Sequence, residues 1–140
     1  MLTFAFYKAR PGRIADRIIR LASWSKYSHV EFVLDQSEGE TTCISASKRD
    51  GSIVRVKPMR MNPYHWDFVT IPGDHAAARR YAETQIGTRY NMIGAALSIT
   101  PITARLGRGL FCSQFMGLIA GVPDPHTLTP GEFYHLLQRK

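Results

Sequence analysis

The spacing of apolar positions changes along the chain, and the spacing separates strands from helices. Residues 1–8 (MLTFAFYK) are a short, mostly apolar run that predicts a first strand, after which Pro11-Gly12 turns the chain. Residues 13–24 carry Ile14, Ile18, Leu21 and Ala22 at helical spacing with arginines between them, which predicts an amphipathic helix whose charged face is solvated. Residues 27–34 alternate instead. Tyr27, His29, Glu31 and Val33 fall on one face, and Ser28, Val30, Phe32 and Leu34 on the other. Residues 35–40 read as a polar turn, 42–47 as a second strand of this unit, 48–51 as a turn and 52–57 as a third, so that a hairpin or meander results. Residues 66–71 are a further strand.

Pro72-Gly73 ends the strand-rich half. Asp74 can cap a helix that runs to Ile86 and stops at Gly87. Residues 88–94 lead into the small-residue segment 95–97, which Pro101 closes, and residues 103–109 form a basic, glycine-containing loop. That loop delivers the chain to an apolar segment, residues 110–121, which reads as a helix with Cys112 in its first turn. Thr129-Pro130-Gly131-Glu132 fits a capping box with proline at the first helical position, so residues 133–138 are a short terminal helix. The expected fold is α+β, an antiparallel sheet with packed helices, formed by residues 1–140 as one domain.

At 140 residues and 44% hydrophobic, the chain can bury a sizeable core. A net charge of +7 implies attraction to polyanions such as nucleic acid, anionic lipid or an acidic cell wall. The basic residues are scattered, however, with no run of five and no nucleic-acid motif, which argues against sequence-specific reading of DNA or RNA. The N-terminus has neither a signal-peptide pattern nor an apolar run of membrane-spanning length, so synthesis in the cytoplasm without a signal peptide is expected. Two cysteines, Cys43 and Cys112, are too few for a disulfide framework and lack the C-x-x-C spacing of structural zinc.

Candidate chemistry centres on Cys112. The positive end of a helix favours a thiolate, the form of cysteine that attacks carbonyls. A thiol nucleophile needs a base, and of five histidines only His29 lies within a strand with a carboxylate two residues on. His29-Val30-Glu31 also matches the H-x-E half of a zinc deaminase signature, but the P-C-x-x-C half is missing around Cys112, and no cofactor or metal is expected. Cys43 lies in a strand and reads as a packing residue.

Gly87-Thr88-Arg89-Tyr90-Asn91-Met92-Ile93-Gly94, followed by Phe111-Cys112-Ser113-Gln114-Phe115, resembles the G-x-x-Y-x-x-G … C-S segment of the NlpC family of papain-like cell-wall peptidases. In that family the cysteine precedes the histidine strand. Here Ser28-His29-Val30 comes first, the order of the circularly permuted branch, which includes bacterial and phage hydrolases and relatives of lecithin:retinol acyltransferase. The resemblance implies a circularly permuted papain-like fold over most of the chain and a cysteine hydrolase with Cys112 as nucleophile and His29 as general base. Tyr90 corresponds to the tyrosine that helps stabilise the oxyanion. The third, orienting residue departs from the family pattern: its usual strand position falls near Ser45, with Ser47 and Cys43 on the same face, while Glu31 on the histidine strand itself is the preferred substitute. The implied substrate is a peptide bond of peptidoglycan, with a phage virion or lysis setting and other virion tail proteins as partners. The alternatives are a lipid acyltransferase or amidase, with Ile99, Ile102 and Leu106 bordering an acyl groove, and a non-catalytic structural module.

Overall fold

The computed structural model describes residues 1–8, 25–47, 51, 53–89, 110–123, 125 and 128–139. Five strands make one antiparallel sheet: β1 (Leu2–Lys8), β2 (Tyr27–Ser37), β3 (Glu40–Ser47), β4 (Ile53–Met59) and β5 (Trp66–Ile71). Among the described residues three helices accompany them: α1 (His75–Thr84), α2 (Leu110–Ile119) and α3 (Pro130–Leu137). The α+β class and the order of strands before these helices agree with the reading of the sequence. The helix expected over residues 13–24, the turn at 48–50, the segment 90–97 and the loop 103–109 lie outside the described residues.

The spatial order of the strands is β4-β3-β2-β1-β5. Strands β2, β3 and β4 form the expected meander, but β5 does not extend it. It crosses to the far edge and pairs with β1, Phe4 opposite Val69 and Phe6 opposite Asp67. This places β1, β2 and β3 inside the sheet, where strands are covered on both edges and apolar residues are favoured. Strand β2 is three residues longer than the alternation shows. Asp35, Gln36 and Ser37 are exposed yet pair with Thr42, Thr41 and Glu40. Backbone hydrogen bonds hold this end of the hairpin, not burial, so no apolar rhythm marks it. The turn is just Glu38-Gly39, with Gly39 at a φ of 79° that a side chain would strain.

One sheet face and the three helices share a core. Phe4, Phe6, Val30, Phe32, Ile44 and Val54 from the strands pack with Ala82 of α1, Phe115 and Met116 of α2, and Phe133 of α3. Phe133 sits edge-on to Phe4 at 5.3 Å and tilted against Phe6 at 5.8 Å. Each such buried ring contributes on the order of 2 kcal/mol through removal from water, and together they hold α3 on the sheet. Its start is set locally: Thr129 and Glu132 form the reciprocal capping box, with Pro130 in the first turn, as expected. Helix α1 is capped by Asp74, whose carboxylate accepts from the Ala77 N–H, but it ends at Thr84 rather than Ile86, and Gly87 lies two residues beyond Gln85 with a φ of 82°. The intervening turn hydrogen-bonds to β4, Gly87 N–H to the Val54 carbonyl and Val54 N–H to the Thr88 carbonyl, so pairing with the sheet edge takes over from the helix.

Tyr27 departs from the alternation. It packs with Phe6 and Tyr134 in the helix-side core rather than sharing a face with His29 and Glu31. The reason is a register shift at the start of β2, where Tyr7 pairs with His29 but Lys8 with Tyr27. Such a shift re-aims the side chains beside it, and His29 is one of them.

Candidate functional site

Four side chains, from two strands and one helix, make up the site: His29 and Glu31 of β2, Arg55 of β4 and Cys112 of α2. The alternation of β2 puts Glu31 on the same side as His29, and its carboxylate reaches back so that Oε1 is 2.8 Å from His29 Nε2. The Glu31 side chain is 1% exposed and that of His29 20%. A buried carboxylate needs compensation, and Arg55 provides it from two strands away, on β4. Its Nη1 donates to Glu31 Oε2 at 2.9 Å and its Nη2 to Oε1 at 3.0 Å. Arg55 lies opposite Ser45 in the β3–β4 register, and the small serine between β2 and β4 leaves the guanidinium room to reach across.

The fourth member is Cys112, fully buried in the first turn of α2. It hydrogen-bonds His29, and its charge acts on the ring. With Nε2 engaged by Glu31, Nδ1 is the ring nitrogen left to the thiol. The helix start and the strand are far apart in sequence, and packing of Phe115 and Met116 into the sheet core fixes where that start lies.

The electrostatics follow from these contacts. Burial alone would lower the proton affinity of His29, but the charge of Cys112, its hydrogen bond, and the bond and charge of Glu31 outweigh it, raising the imidazole from 6.5 to about 10. Burial would likewise raise the Glu31 carboxyl; the His29 hydrogen bond and charge, followed by those of Arg55, bring it from 4.5 down to about 2. His29 is thus held as an imidazolium between two acceptors, and Glu31 as a carboxylate between two cations.

Cys43 is also fully buried, on β3, within the smaller cluster formed by Ala5, Val33 and Trp66. Burial, then the Glu31 charge, push its thiol up to about 12 against a smaller opposing pull from Arg55. The packing role expected for Cys43 agrees with this, although Arg55 is a basic neighbour that the sequence did not reveal.

Of the expected site residues, the structure brings Cys112, His29 and Glu31 together. Ser45 does not serve the imidazole: its hydroxyl donates to the Val30 carbonyl at 3.1 Å. Tyr90, Ile99, Ile102 and Leu106 lie outside the described residues. Arg55 is the member that sequence reasoning missed. The available signal was its place after buried Val54 in a strand, on the side that alternation gives to polar residues, but which carboxylate it meets depends on strand register. Among the described residues, no group of three or more His, Cys, Asp and Glu side chains is arranged to hold a metal ion. No helix among them is long and apolar enough to cross a membrane.

A second polar cluster lies at the same end of the sheet. Asp67 on β5 takes Lys8 Nζ at 2.6 Å, Lys26 Nζ at 3.0 Å and the Tyr27 hydroxyl at 2.6 Å. Those three hydrogen bonds outweigh the effect of burial and lower the Asp67 carboxyl from 3.8 to about 2.

The chain matches no protein-family model, no curated protein and no solved structure. The functional reading therefore stands on the arrangement of these residues.

Proposed function

We propose that the protein is a cysteine hydrolase of circularly permuted papain-like design that cleaves an amide bond through an acyl-Cys112 intermediate. The observation that carries this reading is one imidazole, His29, hydrogen-bonded to a buried thiol on one side and a buried carboxylate on the other. A packing cysteine needs neither partner, and the same fold used as a structural module would have no reason to bury an ionised histidine between them.

In the proposed reaction the Cys112 sulfur attacks the carbonyl carbon, with its proton held by His29. The negative charge that develops on the carbonyl oxygen is favoured by the N-terminal turn of α2, whose dipole presents its positive end there. Collapse of the tetrahedral adduct breaks the C–N bond, and the imidazolium gives its proton to the departing amine. Water then attacks the thioester. His29 takes a proton from the water, the C–S bond breaks, and the acid product leaves with the thiolate–imidazolium pair restored.

Glu31 is the orienting residue of this triad, in the place that the family pattern gives to the following strand. For the substrate we favour a peptide of peptidoglycan, on the motif resemblance and on a net charge of +7, which would concentrate the protein on an anionic wall. Action from a virion or after lysis would bring it there.

Alkylation of Cys112 and Cys43 with iodoacetamide, followed peptide by peptide across pH in the wild type and in His29→Ala, tests the reading without a substrate. Cys112 should react near neutral pH and lose that reactivity in His29→Ala, while Cys43 stays unreactive. Equal, slow labelling of Cys112 in both proteins would overturn it. Release of peptides from purified peptidoglycan, absent in Cys112→Ala, tests the substrate.

A further inference from the structure

We infer that Arg55 is a positioning residue for the proposed centre: by holding both oxygens of Glu31 it keeps that carboxylate ionised and fixes the imidazole proton on Nε2, leaving Nδ1 as the base that faces Cys112. This rests on the thiol-hydrolase reading and deepens it. An ionised carboxylate only accepts, so Nε2, at 2.8 Å from Oε1, must carry a proton. A protonated carboxyl can donate, and would turn Nε2 into the acceptor. The neutral ring would then carry its proton on Nδ1, toward the sulfur, and could not take another from the thiol.

Glu31 is fully buried, the condition that most favours its neutral form. The two Arg55 contacts, 2.9 Å to Oε2 and 3.0 Å to Oε1, answer this with a fork that matches both oxygens and a charge that does not titrate in the working range. The second consequence concerns where the proton goes. A carboxylate relieved by a guanidinium is a weaker base than one facing imidazolium alone, so the proton stays on the ring and remains available to the leaving amine. In the working state the four groups alternate in sign, thiolate, imidazolium, carboxylate and guanidinium, and the buried centre carries no net charge. Without Arg55 it would carry one uncompensated negative charge, which burial penalises.

Among the described residues, the titratable and charged groups around Glu31 are His29 on its own strand, Cys43 on β3, Arg55 on β4 and, through His29, Cys112 on α2. From β1, Ala5 stands opposite Glu31 and brings no charge. Cys43, being held as a thiol, adds none. Among the described residues His29 and Arg55 together hold a carboxylate at this position, and Arg55 is the partner whose charge does not titrate in the working range.

The test is the pH profile of Cys112 alkylation in the wild type, Arg55→Met and Arg55→Lys, with circular dichroism and continued protection of Cys43 as checks on folding. Removing a positive charge in contact with a carboxylate raises its pKa by roughly 1 to 3 units. The acid limb of Cys112 reactivity should therefore move up by at least about one pH unit in Arg55→Met and lie near its wild-type position in Arg55→Lys, which restores the charge. A folded Arg55→Met with the wild-type profile would overturn the assignment. Should Arg55→Met fail to fold, nitrogen NMR of histidine-labelled Cys112→Ala reads the tautomer directly. The neutral His29 ring should carry its proton on Nε2, and carboxyl NMR should show Glu31 ionised down to below pH 4; a proton on Nδ1, or an ordinary carboxyl titration, would overturn it. Loss of the hydrolase reading is distinguishable, because it would show as slow, His29-independent labelling in the wild type itself.

Discussion

Two buried or half-buried carboxylates in this protein are drawn down to the same acidity by different means, and the contrast separates an ion pair at the sheet edge from the one in the proposed centre. Glu31, in the middle of the sheet, is fully buried and faces one cation that can give up its proton, His29, and one that does not titrate, Arg55. Asp67, on edge strand β5, keeps a side chain 27% exposed and faces two lysines and a tyrosine hydroxyl. Both carboxyls sit at about 2. The shift alone therefore does not mark a functional group. What distinguishes Glu31 is that one of its partners, His29, passes the interaction on to the buried Cys112 thiol, whereas the partners of Asp67 end in solvent or in the packed ring of Tyr134.

The sharpest way to test that contrast is to remove the proposed nucleophile and its proposed base. Cys112→Ala and His29→Ala should each lower turnover on any substrate the protein cleaves by at least roughly 10³-fold, since nucleophile and base act as a unit, while the folded state persists by circular dichroism. Wild-type rates in Cys112→Ala would break the mechanism.

Next in size is stability. Glu31→Gln leaves the half-buried Arg55 charge poorly compensated, for which an unfolding cost of about 3 kcal/mol is expected in urea titration. Asp67→Asn, at a partly solvated site, should cost no more than about 1 kcal/mol and leave Cys112 labelling unchanged. Equal costs for the two variants would mean that burial is not what sets the clusters apart.

The acid limb of stability should follow both carboxylates. Each has a folded pKa below its unfolded one, so each contributes stability that is present above the unfolded value and lost as pH falls through the folded one. Urea unfolding should thus weaken from about pH 4.5 toward pH 2, with a shallower slope in Glu31→Gln. His29 has the opposite sign. Its folded pKa is raised, so its contribution is complete below about 6.5 and is lost as pH climbs toward about 10. The smallest effect is expected at Cys43, where serine should leave turnover within about twofold, because a thiol held protonated takes no part in attack.

The sequence shows different parts of this arrangement to different depths. His29 and Glu31 were legible as a pair because strand alternation places residues two apart on one side, a rule that needs no partner strand. The capping boundaries at Asp74 and Thr129 were legible for the same local reason. Tyr27 obeyed the same alternation on paper and broke it in the fold, because a register shift between β1 and β2 is a property of two strands together. Ser45 was a reasonable orienting residue by position, yet the neighbouring Val30 carbonyl takes its hydroxyl, a contact set by the β2–β3 pairing.

What the sequence by itself determined is therefore whatever depends on neighbours along the chain: the strand and helix periods, the caps, the α+β class, and the placing of an apolar helix with a cysteine in its first turn. Tertiary structure decided whatever depends on neighbours across it. It sent β5 to the far edge, brought the start of α2 to His29, and carried Arg55 over Ser45 to Glu31. The physical reason is that a buried charge is stable only beside its counter-charge, and which residues come to lie side by side is fixed by the packing of the whole sheet and its helices.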